Sequence, residues 1–229
     1  MDKPSVLAII PARGGSKGIP GKNIKMFGGM PLILWTIKAA QNAKCIDKII
    51  VSTDDPDIQR ISKKAGIQVP FLRDKKLAQD DSLRNDVIKD VLVRFPCYDY
   101  MIFLQPTSPF RKSYHIDDAF TQMVRNRFLS CVSVKEQHPT PNCIFSLEEN
   151  NKLSPILKAS KNTNRQQVKT FYILNGAIYI SSVPSFLNSS EPDPLLDSAG
   201  CAYVMNEEDS MDLDTHLQWN VAEQIIKSD

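Results

Sequence analysis

Four of the chain's nine glycines, Gly14, Gly15, Gly18 and Gly21, fall within residues 9–23, interleaved with Arg13, Lys17 and Lys22. Glycine lets backbone N–H groups approach and turn toward an anion, and the cations neutralise it, so this run has the chemistry of a phosphate cradle. It directly follows an apolar stretch, residues 6–10. It fits neither common glycine loop. Ser16 stands where a Walker A sequence has its first glycine, and Asn23 replaces the hydroxyl residue that would hold magnesium. Ser16 also breaks the dinucleotide pattern, since it follows Gly14-Gly15. The bland alternative is a flexible surface loop with incidental lysines.

Residues 211–215 read MDLDT. In an extended backbone alternate residues point the same way, so Asp212 and Asp214 present two carboxylates on one side. Such a pair beside a phosphate loop suits magnesium, which binds through one or two carboxylates plus substrate phosphates. Asp or Thr at the end of this run would equally serve as N-cap of the following helix, and one residue could do one job and its neighbour the other. Residues 104–111, LQPTSPFR, hold Gln105, Thr107 and Ser108 in directions restricted by two prolines. That suits either a polyhydroxylated ligand or a rigid turn. Arg165, with a guanidinium matched to carboxylate or phosphate, and Asn175-Gly176 add polar candidates in the second half. His115, His138 and His216 have no partner at metal or triad spacing, and no Gly-x-Ser-x-Gly elbow exists. Nucleophilic hydrolase chemistry is excluded on that ground.

These residues need a scaffold, and the first 135 residues supply one. Strand-like segments at 5–11, 48–52, 68–71, 100–104 and 129–134 alternate with helix-like segments at 31–43, 56–65, 82–95 and 113–126. Near-continuous apolar strands alternating with helices predict an α/β fold, a mostly parallel sheet covered on both faces. Ligands bind beyond the carboxyl ends of such strands. The segments ARGGSKG, STDD and QPTSPFR all follow strands, so they are expected to converge on one rim. After residue 136 the alternation breaks. Residues 137–170 are polar and proline-punctuated, too long for a simple connection, and read as a lid or small subdomain. Strands at 173–181 and 202–205 and a closing helix at 216–226 follow.

The chain has 229 residues, 42% of them hydrophobic, and a formal net charge of +2, which fits one well-buried domain. No basic stripe with interleaved aromatics points to nucleic acid. Five scattered cysteines give neither a zinc pattern nor a disulfide framework. The N-terminal apolar run is too short for a signal peptide, no stretch reaches membrane-spanning length, and a cytoplasmic protein is expected.

Taken together, IPARGGSKGIPGKN, STDD, FLRDKKLAQDDS, LQPTSPFR, RQQ with LNGAIY, and SMDLDT resemble, in order, the motifs of the N-acylneuraminate cytidylyltransferase family. The resemblance spans about residues 7–215. It implies a Rossmann-like nucleotidyltransferase three-layer sandwich as one domain over 1–229, with 137–170 as a dimerisation or lid insertion. It implies that a nine-carbon 2-keto acid sugar attacks the α-phosphate of CTP, giving CMP-sugar and pyrophosphate for cell-surface polysaccharide synthesis.

Carried over, Ala12, Arg13, Gly14, Ser16, Lys22 and Asn23 would cradle the triphosphate, and Arg73 and Ser82 would hold the cytidine part. Gln105, Thr107, Arg165, Asn175 and Tyr179 would face the sugar. Asp212 and Asp214 would bind magnesium, with manganese as a substitute, and Lys22, Arg13 and Asp214 would act in catalysis. A homodimer is implied, with no nucleic-acid or membrane partner. The chain departs from sialate-activating bacterial relatives near Asn142, at Ile173-Leu174 and over residues 192–196, all toward the sugar. Legionaminic or pseudaminic acid is therefore the alternative substrate, and a catalytically silent nucleotide-binding protein the remote one.

Overall fold

The computed structural model describes residues 3–137, 144–156, 170–196 and 199–228. In chain order the regular elements are β1 (Val6–Pro11), β2 (Met26–Phe27), β3 (Met30–Pro31), α1 (Leu32–Asn42), β4 (Lys48–Ser52) and α2 (Pro56–Lys64). Then come α3 (Arg84–Arg94), β5 (Tyr100–Phe103), α4 (Ser113–Arg125), β6 (Ser130–Glu136), β7 (Phe145–Leu147) and β8 (Leu153–Pro155). The chain closes with β9 (Tyr172–Ser182), α5 (Val183–Asn188), β10 (Cys201–Val204) and α6 (His216–Ser228).

Six strands form one sheet in the order β10-β6-β9-β5-β1-β4. β4, β1 and β5 run parallel, as do β6 and β10, while β9 lies antiparallel between β5 and β6. Successive side chains of a strand face opposite sides of a sheet. β1 obeys this with every apolar residue buried. Val6, Ala8 and Ile10 pack with α1 and α4 on one face, and Leu7 and Ile9 pack with α3 and α5 on the other. That is the three-layer sandwich expected from continuous apolar strands.

The expected strand at 68–71 is reduced to one bridge, Ile50↔Gln68. Pro70 has no N–H to continue a ladder, which explains the early stop. Local signals set several ends. The Asp55 carboxylate accepts from the N–H groups of Asp57 and Ile58 to cap α2, and Gly66, at φ +81°, terminates it.

A third cluster fastens the C-terminal part to the N-terminal loop. Trp219 of α6 packs edge-on against Phe27, with ring centroids 5.2 Å apart, and shares a core with Ile19, Leu32, Phe110 and Leu213. Leu213 sits between the two aspartates, so this apolar anchor fixes where they lie. Among the described residues no helix is long and apolar enough to cross a membrane.

Trp219→Ala removes this anchor and is expected to lower unfolding free energy by about 3–5 kcal/mol, read as a fall in the denaturation midpoint. An unchanged midpoint would show that α6 is held elsewhere.

Candidate active site

The loops after β1, β4 and β5 do meet at one rim. The loops after β1 and β5 wall a cleft of ≈ 490 Å³ with Arg13, Ser16, Lys22, Asn23, Arg73, Ser82 and Thr107 among its residues and Leu77, Val87 and Phe103 as an apolar wall, while the loop after β4 stands behind the glycine loop. A polar mouth with an apolar wall suits a phosphorylated ligand that carries a ring. The glycine loop is braced from below. Asn23, buried, donates to the Arg13 carbonyl at 2.9 Å, and Gly14 N–H donates to Asp54 Oδ1 at 3.0 Å. Across the cleft, Asp80 pairs with two of the three loop cations, Arg13 at 2.9 Å and Lys17. Arg73 is buried, 3.9 Å from Asp54, and burial lowers its pKa. Ser82 Oγ donates to the Lys76 carbonyl at 3.0 Å, and Ala12 N–H donates to the Ser52 carbonyl at 2.9 Å.

Residues 211–214 close one side of the cleft. Lys22 Nζ donates to Asp214 Oδ1 at 2.8 Å and to the Leu213 carbonyl at 3.0 Å. Leu213 N–H donates to the Thr107 carbonyl at 2.8 Å. Gly18 permits the closest approach, since a β-carbon there would lie 2.6 Å from the Asp214 carbonyl oxygen.

Of the Asp and Thr cap candidates, Thr215 takes the role. Thr215 Oγ1 accepts from Gln218 N–H at 3.2 Å, and Gln218 Oε1 accepts from the Asp214 and Thr215 N–H groups, at 3.0 and 2.8 Å. This is a reciprocal capping box. Both aspartates are therefore left to line the cleft. Burial pushes the Asp212 carboxyl up to about 6, and the neighbouring Asp214 adds to the shift, while Thr107 and Lys22 oppose it. Asp212 Oδ1 is buried and has no hydrogen-bond partner. An orphaned hard oxygen beside a second carboxylate, at the mouth of a cationic cleft, fits a divalent cation bridging to phosphate.

On the far side of Asp212 and Gln105 lies a second hollow of ≈ 270 Å³, lined also by Lys135, Leu174, Asn175, Gly176, Tyr179 and Gln218. Gly176 stands at φ +75°, and a β-carbon there would lie 2.6 Å from Gln105 Oε1. Asn175 lines this hollow with its side chain already engaged. Its Oδ1 accepts from Ser133 Oγ at 2.5 Å, and its Nδ2 donates to Ser210 Oγ at 2.9 Å. Tyr179 is buried beneath the Arg84 guanidinium, 4.2 Å from its ring centroid. Arg165 lies outside the described residues.

Three residues of the site escaped the sequence reading. Arg84 and Asp80 line the main cleft. Arg111, fully buried, donates through Nη1 to the carbonyls of Gln105 at 3.1 Å and Ala177 at 2.9 Å, and so clamps together the two segments that line the second hollow. Burial alone pushes its pKa down to about 9.

Residues 7–214 match the model of a family described as Cytidylyltransferase. The chain belongs to the cytidylyltransferase family. This cytidylyltransferase is 34% identical to a CMP-N,N'-diacetyllegionaminic acid synthase of Legionella pneumophila, over 97% of this chain and 96% of that protein. It is 35% identical to an N-acylneuraminate cytidylyltransferase of Streptococcus agalactiae, over 91% of this chain and 50% of that protein. The chain thus spans about half the length of several curated relatives. Its fold matches that of a CMP:2-keto-3-deoxy-manno-octonic acid synthetase complexed with CTP, with a TM-score of 0.75, 18% identity and coverage of 98% and 99% of the two chains.

Two outcomes test the geometry of this cytidylyltransferase site. Because the folded pKa of Asp212 is raised, to about 6 from 3.8, its protonated form contributes stability below pH 3.8, and that contribution is lost as pH rises through about 6. Asp212→Asn escapes the loss. It is expected to stabilise the ligand-free protein by about 1–3 kcal/mol at neutral pH, measured by denaturant titration, with the gain vanishing near pH 4. A variant less stable than the parent at neutral pH contradicts this. Gly18→Ala should lower the melting temperature and reduce turnover at least about tenfold, because its β-carbon would lie 2.6 Å from the Asp214 carbonyl oxygen and that backbone must move; an unchanged melting temperature and turnover would contradict the close approach.

Proposed function

We propose that this cytidylyltransferase activates a nonulosonic acid, converting CTP and the sugar acid to CMP-sugar and pyrophosphate. The observation that supports this most is the meeting of two clefts at Asp212 and Gln105, one cationic with an apolar wall and one small and polar. A group held in the second faces the mouth of the first, which is the placement a two-substrate transfer needs. The cations of the glycine loop suit the triphosphate. The anomeric oxygen of the sugar forms a bond to the α-phosphorus, the bond to the bridging oxygen of the β-phosphate breaks, and pyrophosphate leaves with those electrons. The hydroxyl proton passes to Asp214 or to solvent beside it. Negative charge grows on the departing pyrophosphate, and Lys22 and Arg13 stand at its side of the cleft.

Asp212 and Asp214 would hold magnesium, or manganese in its place, which when bound supplies electrostatic stabilisation of the phosphate charge. Lys22 keeps Asp214 turned into the cleft in the meantime. The likeness to the legionaminic acid synthase over nearly the full length of both chains favours a sugar of that type over N-acetylneuraminate.

The insertion at 137–170 is proposed to pair two copies into a homodimer. In its described part, the β7–β8 hairpin exposes Phe145, Leu147, Leu153 and Ile156. Apolar exposure of this kind on a protruding hairpin suits an interface.

Pyrophosphate release with CTP, magnesium and a panel of N-acetylneuraminate, legionaminate, pseudaminate and the eight-carbon acid tests the proposal. Release with a nine-carbon acid, abolished by EDTA, is the expected result. Silence across the panel with CTP still bound would favour a nucleotide-binding protein. Asp214→Ala should lower turnover by about a thousandfold or more while leaving the melting temperature near that of the parent. Thr215→Ala should do the reverse, losing about 1 kcal/mol of stability with turnover largely kept.

A further inference from the structure

Resting on the reading above, we infer that Lys135 is the specificity-determining cation of the second hollow and receives the carboxylate of the acidic sugar. Lys135 lies near the end of β6, on the same side of the strand as Ser133 and opposite Ile173 of β9. Among the described residues that line this hollow, it is the sole cation and Asp212 the sole anion. A carboxylate drawn from water into the hollow loses solvation, and a positive group there offsets that cost.

The other polar groups there are largely committed. Asn175 is saturated, its Oδ1 accepting from Ser133 Oγ and Ala177 N–H and its Nδ2 donating to Ser210 Oγ and Met205 Sδ. Ser210 Oγ donates to the Asn206 carbonyl, and Gln218 Oε1 caps α6. The nearby cations Lys22 and Arg84 are paired with Asp214 and Asp193. Lys135 has neither an ion pair nor a hydrogen bond to any described residue, and the side-chain amide of Gln105 is likewise without a hydrogen bond. The hollow therefore offers an ammonium and an amide to a ligand. An ammonium takes a carboxylate, and an amide takes a hydroxyl or ring oxygen. The triphosphate has its own cations in the other cleft, and among the described residues lining the hollow Lys135 is the cation available to the sugar.

The test is steady-state pyrophosphate release with the acid that the wild-type enzyme turns over, set against the same sugar with its carboxylate converted to an amide. Lys135→Gln should raise KM for the acid at least about tenfold, the scale of one charge-assisted hydrogen bond. KM for CTP should stay unchanged. Lys135→Arg should recover most of the loss. The wild-type enzyme should discriminate against the amide, and Lys135→Gln should not. An unchanged KM for the acid in Lys135→Gln, or discrimination against the amide that persists in it, overturns the inference while leaving the proposed reaction intact. Absence of turnover by the wild-type enzyme with every acid removes the reaction and this inference together. Because the amide comparison in the wild-type enzyme requires no substitution, misfolding of one variant does not protect the inference.

Discussion

The Lys22 ammonium joins parts of the chain 191 residues apart, and both clefts depend on that junction. It holds the Leu213 carbonyl and the Asp214 carboxylate together, while Gly18 offers no side chain to keep the two backbones apart. The Lys22 side chain is only 13% exposed, against 62% for Asp214. An ion pair so shielded on one side is screened less than a surface pair. The same segment is held from the other direction by Leu213, buried beneath Trp219, and by its N–H bond to Thr107. Apolar packing thus sets the position of 211–214, and electrostatics sets its orientation. Neither alone would put a carboxylate pair beside a glycine loop encoded so far away.

A second constraint shapes the smaller hollow. β9 runs against its neighbours, so its beginning, not its end, arrives at the rim where β1, β4 and β5 finish. Asn175-Gly176-Ala177 therefore reach the site from a strand start. The polar chain Ser133–Asn175–Ser210 and the Arg111 clamp hold that strand start to the flanking loops. A buried guanidinium with two carbonyl partners and no carboxylate carries a desolvation penalty. Its retention fits a role in fixing geometry better than a role in stability. The Arg111 Nε and Nη2 atoms, buried without partners, are the residue of that compromise.

The sequence disclosed the parts whose causes are local. Apolar runs marked β1, β4 and β5, glycines marked the phosphate loop, and Asp55 with Gly66 marked the ends of α2. The convergence of three post-strand segments followed from the parallel order alone. What stayed hidden depends on pairings across the fold. Nothing local distinguishes Asn175 facing a ligand from Asn175 engaged by Ser133, Ser210 and Ala177. Arg111 reads as the end of a turn motif until its carbonyl partners on two segments are seen. Lys135 belongs to a stretch with no motif, and only the register with β9 brings it to the hollow. Thr215 is one of the cap candidates the sequence offers, and the Thr215-x-x-Gln218 spacing is the capping-box pattern that decides between it and the aspartates.

The raised carboxyl of Asp212 shows what this arrangement requires of the ligand-free protein. Two carboxylates are held close, one of them largely buried, with a single ammonium between the loops to offset them. Burial disfavours the charge on Asp212, and Asp214 disfavours it further. The surrounding packing, above all the Trp219 cluster, supplies the stability that lets this repulsion persist. A protein selected only for folding would place an amide or an apolar group at 212. The strain is sensible if a cation and phosphates are to occupy the cleft, because the charge that is unfavourable in isolation becomes the binding free energy for them. The glycine loop shows the same concentration of charge, since Asp80 pairs with both Arg13 and Lys17. The cleft cations Arg13, Lys17, Lys22 and Arg84 each face a carboxylate, whereas the buried Oδ1 of Asp212 has no hydrogen-bond partner.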